Sequence, residues 1–307
     1  LPPPAFVNPP ANITVNCDQI PAAGTVLTVT NGSAVCPINA TATPVQSGTA
    51  DMCGGVITYT WTFTDQCNRT INHTQTVTVN PMPIPAFVNP PANITVNCDA
   101  IPAAGAVLTA TNGSATCPIN AMVTPVQTGS ATICGGVITY TWTFTDPCNR
   151  TISHQQTVNV TPMLPPVFLN PPSNITVSCE NIPASAPNLT ASNSGPIGCN
   201  INESVAAVLE GTPNACGGSF NYRWTYTDAC GRTIQHVQTI TVTPVLQGAF
   251  QNVPPNEVVS CDMAPQPSSF PSLTFTNGST GNCSINATVA PVVTGAATSC
   301  GGTITAT

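Results

Sequence analysis

Lysine is missing from this chain, and charged residues of every kind make up only 5% of it. Four arginines, Arg69, Arg150, Arg223 and Arg232, face eleven acids for a formal charge of −7. Nucleic-acid partners are neutralised by clustered Lys and Arg, so this composition excludes them. Without lysine, a Lys-to-Asn isopeptide staple is excluded as well. Apolar runs fall far short of the roughly 20 residues that a membrane helix needs, which leaves no membrane span in this stretch, and no charged-then-apolar leader opens it. Close cysteine pairs are lacking too: thirteen residues separate the nearest two, too many for a zinc knuckle. Acids are sparse, so the six to eight oxygens that calcium requires are not in hand, although Asp18, Asp99, Glu180 and Asp262 each follow a cysteine. No cofactor is expected.

What the chain does have is repetition. Cys17, Cys36, Cys53 and Cys67 return as Cys98, Cys117, Cys134 and Cys148, then as Cys179, Cys199, Cys216 and Cys230, then as Cys261, Cys283 and Cys300. Self-similarity at this period predicts an array of small stapled domains: 1–81, 82–162, 163–244 and an incomplete 245–307. The fourth copy stops before its last cysteine and Leu1 aligns with Met82 and Met163, so the stretch reads as a window on a longer repetitive protein. Disulfides persist in oxidising surroundings, which places the chain outside the cell, secreted or on a cell surface.

Within a copy, Ile57, Tyr59, Trp61 and Phe63 alternate with threonines, period two without a break. That face belongs in a core, as do Tyr140, Trp142 and Phe144 in the second copy and Tyr222, Trp224 and Tyr226 in the third. Asp65-Gln-Cys67-Asn68-Arg69 then reads as a tight reversal, with Asn68 supplying a positive φ. Three upstream segments alternate similarly, around Ile13 to Cys17, Leu27 to Val29 and Ile38 to Thr43. The expectation is an all-β chain of immunoglobulin-like sandwiches, about five strands each, joined by stiff proline-rich linkers into an extended fibre.

If the strands run up and down between two poles, Cys17 and Cys53 share one pole and Cys36 and Cys67 the other. This favours pairs within each repeat: Cys17 with Cys53, Cys36 with Cys67, Cys98 with Cys134, Cys117 with Cys148, Cys179 with Cys216, Cys199 with Cys230 and Cys261 with Cys300. Each complete repeat would then close two loops, each stabilising by roughly 3 to 4 kcal/mol on a chain-entropy account. His73, His154 and His236 recur at one position of the return strand, which suits a structural place at the core rim better than a triad copied in every repeat. Asp65 with Arg69, repeated as Asp146 with Arg150 and Asp228 with Arg232, reads as a pair bracing the turn. The linker phenylalanines Phe6, Phe87, Phe168 and Phe250 either pack between neighbouring domains or plug their own cores. Asn12, Asn31, Asn39, Asn93, Asn112 and Asn174 open N-x-S/T triplets and are candidate glycosylation sites where the producing cell has the machinery.

The run from Cys53 to Ile71, Cys-Gly-Gly-x-Ile-Thr-Tyr-Thr-Trp-Thr-Phe-Thr-Asp-x-Cys-Asn-Arg-Thr-Ile, its copy from Cys134 to Ile152 and the recurring Asn-Ile-Thr-Val-x-Cys resemble the hyalin-repeat-like modules of very large secreted surface proteins of gliding Bacteroidota, which include gliding-motility adhesins. The third copy departs at Ser219 to Trp224 and the fourth at Ala306. The resemblance implies a non-catalytic stalk or adhesive filament exported by the type IX pathway. Its partners would be neighbouring repeats of the same chain, other copies in a filament, or a surface motility complex. The other reading of such an array is a set of weak glycan- or protein-binding modules acting by avidity.

Overall fold

The computed structural model describes residues 1–307 and is all-β. Seven strands build the first repeat: β1 (Ala5–Phe6), β2 (Ile13–Val15), β3 (Leu27–Thr30), β4 (Asn39–Ala42), β5 (Val45–Asp51), β6 (Gly54–Thr64) and β7 (Thr70–Val79). They form two sheets, a three-stranded one in the order β1-β3-β4 and a four-stranded one in the order β2-β7-β6-β5. All pairings are antiparallel except β2 with β7, which run in parallel with Val15 opposite Val79. The second and third repeats each return the same seven strands and sheet orders, and the fourth copy contributes five strands. No helix is long and apolar enough to cross a membrane.

The expected five strands per repeat are therefore seven. β1 has two residues, too few to show a period. β5 is an edge strand whose sequence, Val-Gln-Ser-Gly-Thr-Ala-Asp, is almost wholly exposed and carries no alternation, because backbone pairing to β6 rather than burial holds it in place. Gly48 within it takes φ +77°, and a Cβ there would collide with the Val56 carbonyl oxygen, so only glycine fits.

Between the sheets lies the core read from the alternation. Trp61, Trp142 and Trp224 are fully buried, with Ile57, Tyr59, Tyr140 and Tyr222 also buried, while Phe63, Phe144 and Tyr226 are half-buried at its rim. Each indole N–H donates to a backbone carbonyl far along the chain: Trp61 to Thr25 at 2.8 Å, Trp142 to Ala106 at 2.9 Å and Trp224 to Pro187 at 3.1 Å. Burying a tryptophan is favourable only when its one polar atom keeps a partner. Phe6, Phe87 and Phe168 pack against the cores of their own repeats, which resolves the two alternatives for these three linker rings. Phe250 lies edge-on to Phe275 at 5.1 Å.

The chain divides into two compact units, Leu1–Pro162 and Met163–Thr307. The first unit holds the first two repeats, and strand direction fixes its poles. β2 and β7 run together toward the exit end, so Cys17 and the β5–β6 turn bearing Cys53 lie there. Cys36, after β3, and Cys67, in the β6–β7 turn, lie at the entry end.

Candidate functional site: the stapled joint

Sharing a pole does not make two cysteines partners. Cys17 is bonded to Cys117 and Cys53 to Cys148, so both bridges leave the first repeat and enter the second. In the second unit Cys179 is bonded to Cys283, again the first cysteine of one copy to the second of the next. Cys98, Cys134, Cys199 and Cys230 are disulfide-bonded as well. Cys36, Cys67, Cys216, Cys261 and Cys300 are unbonded and exposed. The expected pairs Cys17–Cys53, Cys36–Cys67, Cys117–Cys148, Cys179–Cys216 and Cys261–Cys300 are therefore not formed.

Sheet order gives the reason. β7 lies between β2 and β6, so Cys17 and Cys53 are separated by about two strand spacings, roughly 10 Å, beyond the reach of a disulfide. Cys36 and Cys67 belong to different sheets, which stack about 10 Å apart. The facing pole of the next repeat comes closer: Cα atoms are 6.3 Å apart for Cys17 and Cys117, and 5.4 Å apart for Cys53 and Cys148.

Every cysteine is presented by a hydrogen-bonded turn. The fourth of each quartet has its N–H held by the aspartate two residues earlier, at 2.9 Å in Cys67, Cys148 and Cys230. The third is held by residue i−2 in all four copies: Asp51, Thr132, Asn214 and Thr298. The second depends on a buried or half-buried asparagine, which in the first two copies, Asn31 and Asn112, also opens an N-x-S/T triplet. The Asn31 amide donates to the Cys36 carbonyl at 2.9 Å, and its Oδ1 accepts the N–H groups of Ser33 and Ile38. Asn112 does the same around Cys117, and Asn193 and Asn277 around Cys199 and Cys283. Asn31 and Asn112 are thus loop clamps, and the other triplet asparagines Asn12, Asn39, Asn93 and Asn174 are exposed. Recurrence of asparagine five or six residues before each second cysteine was the signal for this role.

The acid and arginine of the hairpin turn do more than brace it. Asp146 is buried; its Oδ1 accepts the N–H groups of Cys148 and Arg150, and its Oδ2 accepts Arg150 Nε at 2.7 Å. Burial alone would raise its pKa, but the side-chain and backbone hydrogen bonds from Arg150 and the N–H of Cys148 outweigh it and hold the carboxyl below its ordinary value. Arg69's backbone N–H is the leading cause of the same depression in Asp65. The anchored guanidinium then grips the entry segment of its own repeat: Arg150 donates to the carbonyls of Met82 at 3.0 Å and Pro83 at 3.2 Å. Arg69 grips Leu1 and Pro2, and Arg232 grips Met163 and Leu164, in the same way. Met82 is buried and its N–H donates to Met52, next to Cys53.

The recurring histidines are occupied structurally. His73, His154 and His236 each place Nε2 within 2.8 to 2.9 Å of a proline carbonyl and lie 5.6 to 5.7 Å from the buried indole of their repeat. Asp18 lies beside Cys17 and Cys117, but those sulfurs are spent on each other.

Solved structures with some likeness include mouse cadherin-23 EC22-24, 13% identical over 78% of this chain and 98% of that one with a TM-score of 0.31. Protocadherin gammaB7 EC3-6 is 12% identical over 95% and 87% with a TM-score of 0.32. No curated protein matches. The HYR-like domain with 4 cysteines matches at residues 5–79, 86–160 and 168–242, each span carrying its own cysteine quartet, and the chain belongs to that family as three tandem repeats.

Proposed function

We propose that this chain is a load-bearing segment of an extracellular surface fibre, extending an adhesive tip away from a cell for attachment or gliding. The modules of this reading are 1–81, 82–162, 163–244 and 245–307. The observation that supports it is the path of the bridges. In an ordinary string of domains, tension passes through noncovalent joints and unravels one module at a time. Here Cys17–Cys117 and Cys53–Cys148 span sequence separations of 100 and 95 residues and carry the load from one repeat into the next. Type IX export and a motility complex as partner enter through the family resemblance.

Stretching single molecules tests it. With the joint bridges intact, the 100 residues between Cys17 and Cys117 cannot lengthen the molecule. Reductant should therefore add about 340 Å of contour for that joint, at roughly 3.4 Å per residue. Equal contour gains with and without reductant would reject the load-bearing reading.

A further inference from the structure

The four-stranded sheet of the first repeat has an open edge at β5, and that of the second at the counterpart strand Val126–Thr132. Gly48 and Gly129 take φ of +77° and +75° in mid-strand, so the regular run on offer is the stretch before each, 45–47 and 126–128. The outward N–H and C=O groups of these runs bond to no other part of the chain. Proteins close such edges with charge, above all lysine, or with proline. Here the runs read Val-Gln-Ser and Val-Gln-Thr, with neither. The third repeat does close its edge. Its strand Val208–Glu210 ends in a carboxylate that takes both Nε and Nη2 of Arg223 from the neighbouring strand, where the second repeat has Thr128 and Thr141.

Beside the open run of the second repeat lies a cleft of about 320 Å³, lined by residues that include Gly105, Val107, Thr124, Pro125, Gln127 and Tyr140. All six recur one repeat earlier, as Gly24, Val26, Thr43, Pro44, Gln46 and Tyr59. Glycine makes the floor: a Cβ on Gly105 would come within 2.7 Å of both the Tyr140 ring and Pro125, and one on Gly24 would meet Tyr59 and Pro44 as closely. Val107 is 48% exposed and Val126 66%, so the mouth of the cleft is apolar and uncovered. In the third repeat Ala186, Asn188, Ala207 and Leu209 replace Gly105, Val107, Pro125 and Gln127. Gln127 pairs in register with buried Tyr140, so both belong to the core-side face of the sheet. A strand added outside Gln127 would put its own paired side chain on that face, toward the cleft.

We propose that 45–47 and 126–128 are strand-addition sites for an extended, uncharged peptide segment of a partner protein, which places one apolar side chain in the adjoining cleft. Main-chain hydrogen bonds to the open run hold the segment, and the cleft selects the side chain. The segment is uncharged because neither run nor cleft holds a charged group to pair with, and covering an unpaired charge is costly. Each contact is small, so one repeat binds weakly and the array multiplies the effect. The third repeat is excluded by the Glu210–Arg223 pair on its edge and by its altered cleft. A fibre that bears load and binds nothing at these edges passes the stretching test and fails this one, so the two readings are tested separately.

The test is titration of the isotope-labelled full chain with the capped peptide Thr-Thr-Leu-Thr-Thr at up to millimolar concentration, read by amide chemical shifts. Expected are saturable shifts at 126–128 and at Gly105 and Val107, with the same at 45–47, Gly24 and Val26, and none at Val208–Glu210. Exchanging the leucine for alanine should weaken binding by about tenfold, as losing an apolar group from a pocket does. N-methylation of the peptide backbone, which removes its donors and leaves the side chains in place, should abolish the shifts. In the protein, Thr128→Glu with Thr141→Arg transplants the guard of the third repeat, an arrangement that this fold already tolerates there. It should silence the second repeat and leave the first responsive. Absence of shifts, equal binding by the N-methylated or alanine peptide, or an equal response in the third repeat would overturn the proposal. So would shifts that follow the concentration of the chain itself and ignore the peptide, because the occupant would then be a second copy.

Discussion

An asparagine side chain decides where the second cysteine of each repeat points. Asn112 satisfies one carbonyl and two N–H groups of a loop that would otherwise have no regular structure to complete its backbone bonding. Asn112→Ala strands all three, and leaving such groups without partners costs about 1 to 3 kcal/mol. Denaturant unfolding of the oxidised protein should show that loss in the second repeat. Asn112→Asp keeps the two accepting contacts but cannot donate to the Cys117 carbonyl, so at neutral pH it should fall between parent and alanine variant. If alanine and aspartate cost the same, the donated bond carries the effect by itself and the clamp assigned here is wrong.

Hairpin β6–β7 shows which elements a sequence displays and which it hides. Its strands alternate over the buried Trp61 and Tyr59, and Asn68 takes φ +60° at the turn, so periodicity and turn chemistry identified it without structure. The same reasoning placed Cys17 with Cys53 and Cys36 with Cys67 at their poles, because strand direction survives the two overlooked strands. It missed the bonding pattern, since the lateral order β2-β7-β6-β5 is a long-range pairing that no local period encodes. The arginine's reach into the linker was hidden for a similar reason: Arg150 and Met82 are 68 residues apart. The turn also sets an acid limit. Asp65, Asp146 and Asp228 all have carboxyl pKa values below their ordinary one in the folded state. A depressed folded value contributes stability that is present above the unfolded pKa of about 3.9 and is lost as pH falls through the folded value. Thermal melts taken from pH 6 down to pH 2 should therefore decline steeply below about pH 4. Asp146→Asn should be less stable at neutral pH and lose less on acidification; an unchanged slope would remove these carboxylates as the cause.

At the scale of the joined repeats, two bridges do what one cannot. Cys17 follows β2 at one edge of the four-stranded sheet, and Cys53 sits between β5 and β6 at the opposite side, so the covalent anchors on the first repeat are well separated. Their partners are likewise apart on the second repeat, Cys117 in the loop after a strand of the three-stranded sheet and Cys148 in the hairpin turn of the other. A single tether leaves the repeats free to swing about it, while two separated tethers oppose both bending and twist. The contact between them, the Met82 N–H to the Met52 carbonyl, is then held at high effective concentration, on an entry segment that Arg150 grips from within the second repeat. Removing one bridge by Cys53→Ser with Cys148→Ser should leave the repeats covalently connected and the Trp142 core intact. Hydrogen exchange at the Met82 amide should nonetheless rise steeply, because that bond now opens with the swing of the joint rather than with unfolding of a repeat. Cys17→Ser with Cys117→Ser should have the same effect from the other side. If Met82 stays protected until both bridges are gone, one tether suffices; if it stays protected even then, stiffness comes from the proline-rich linker instead.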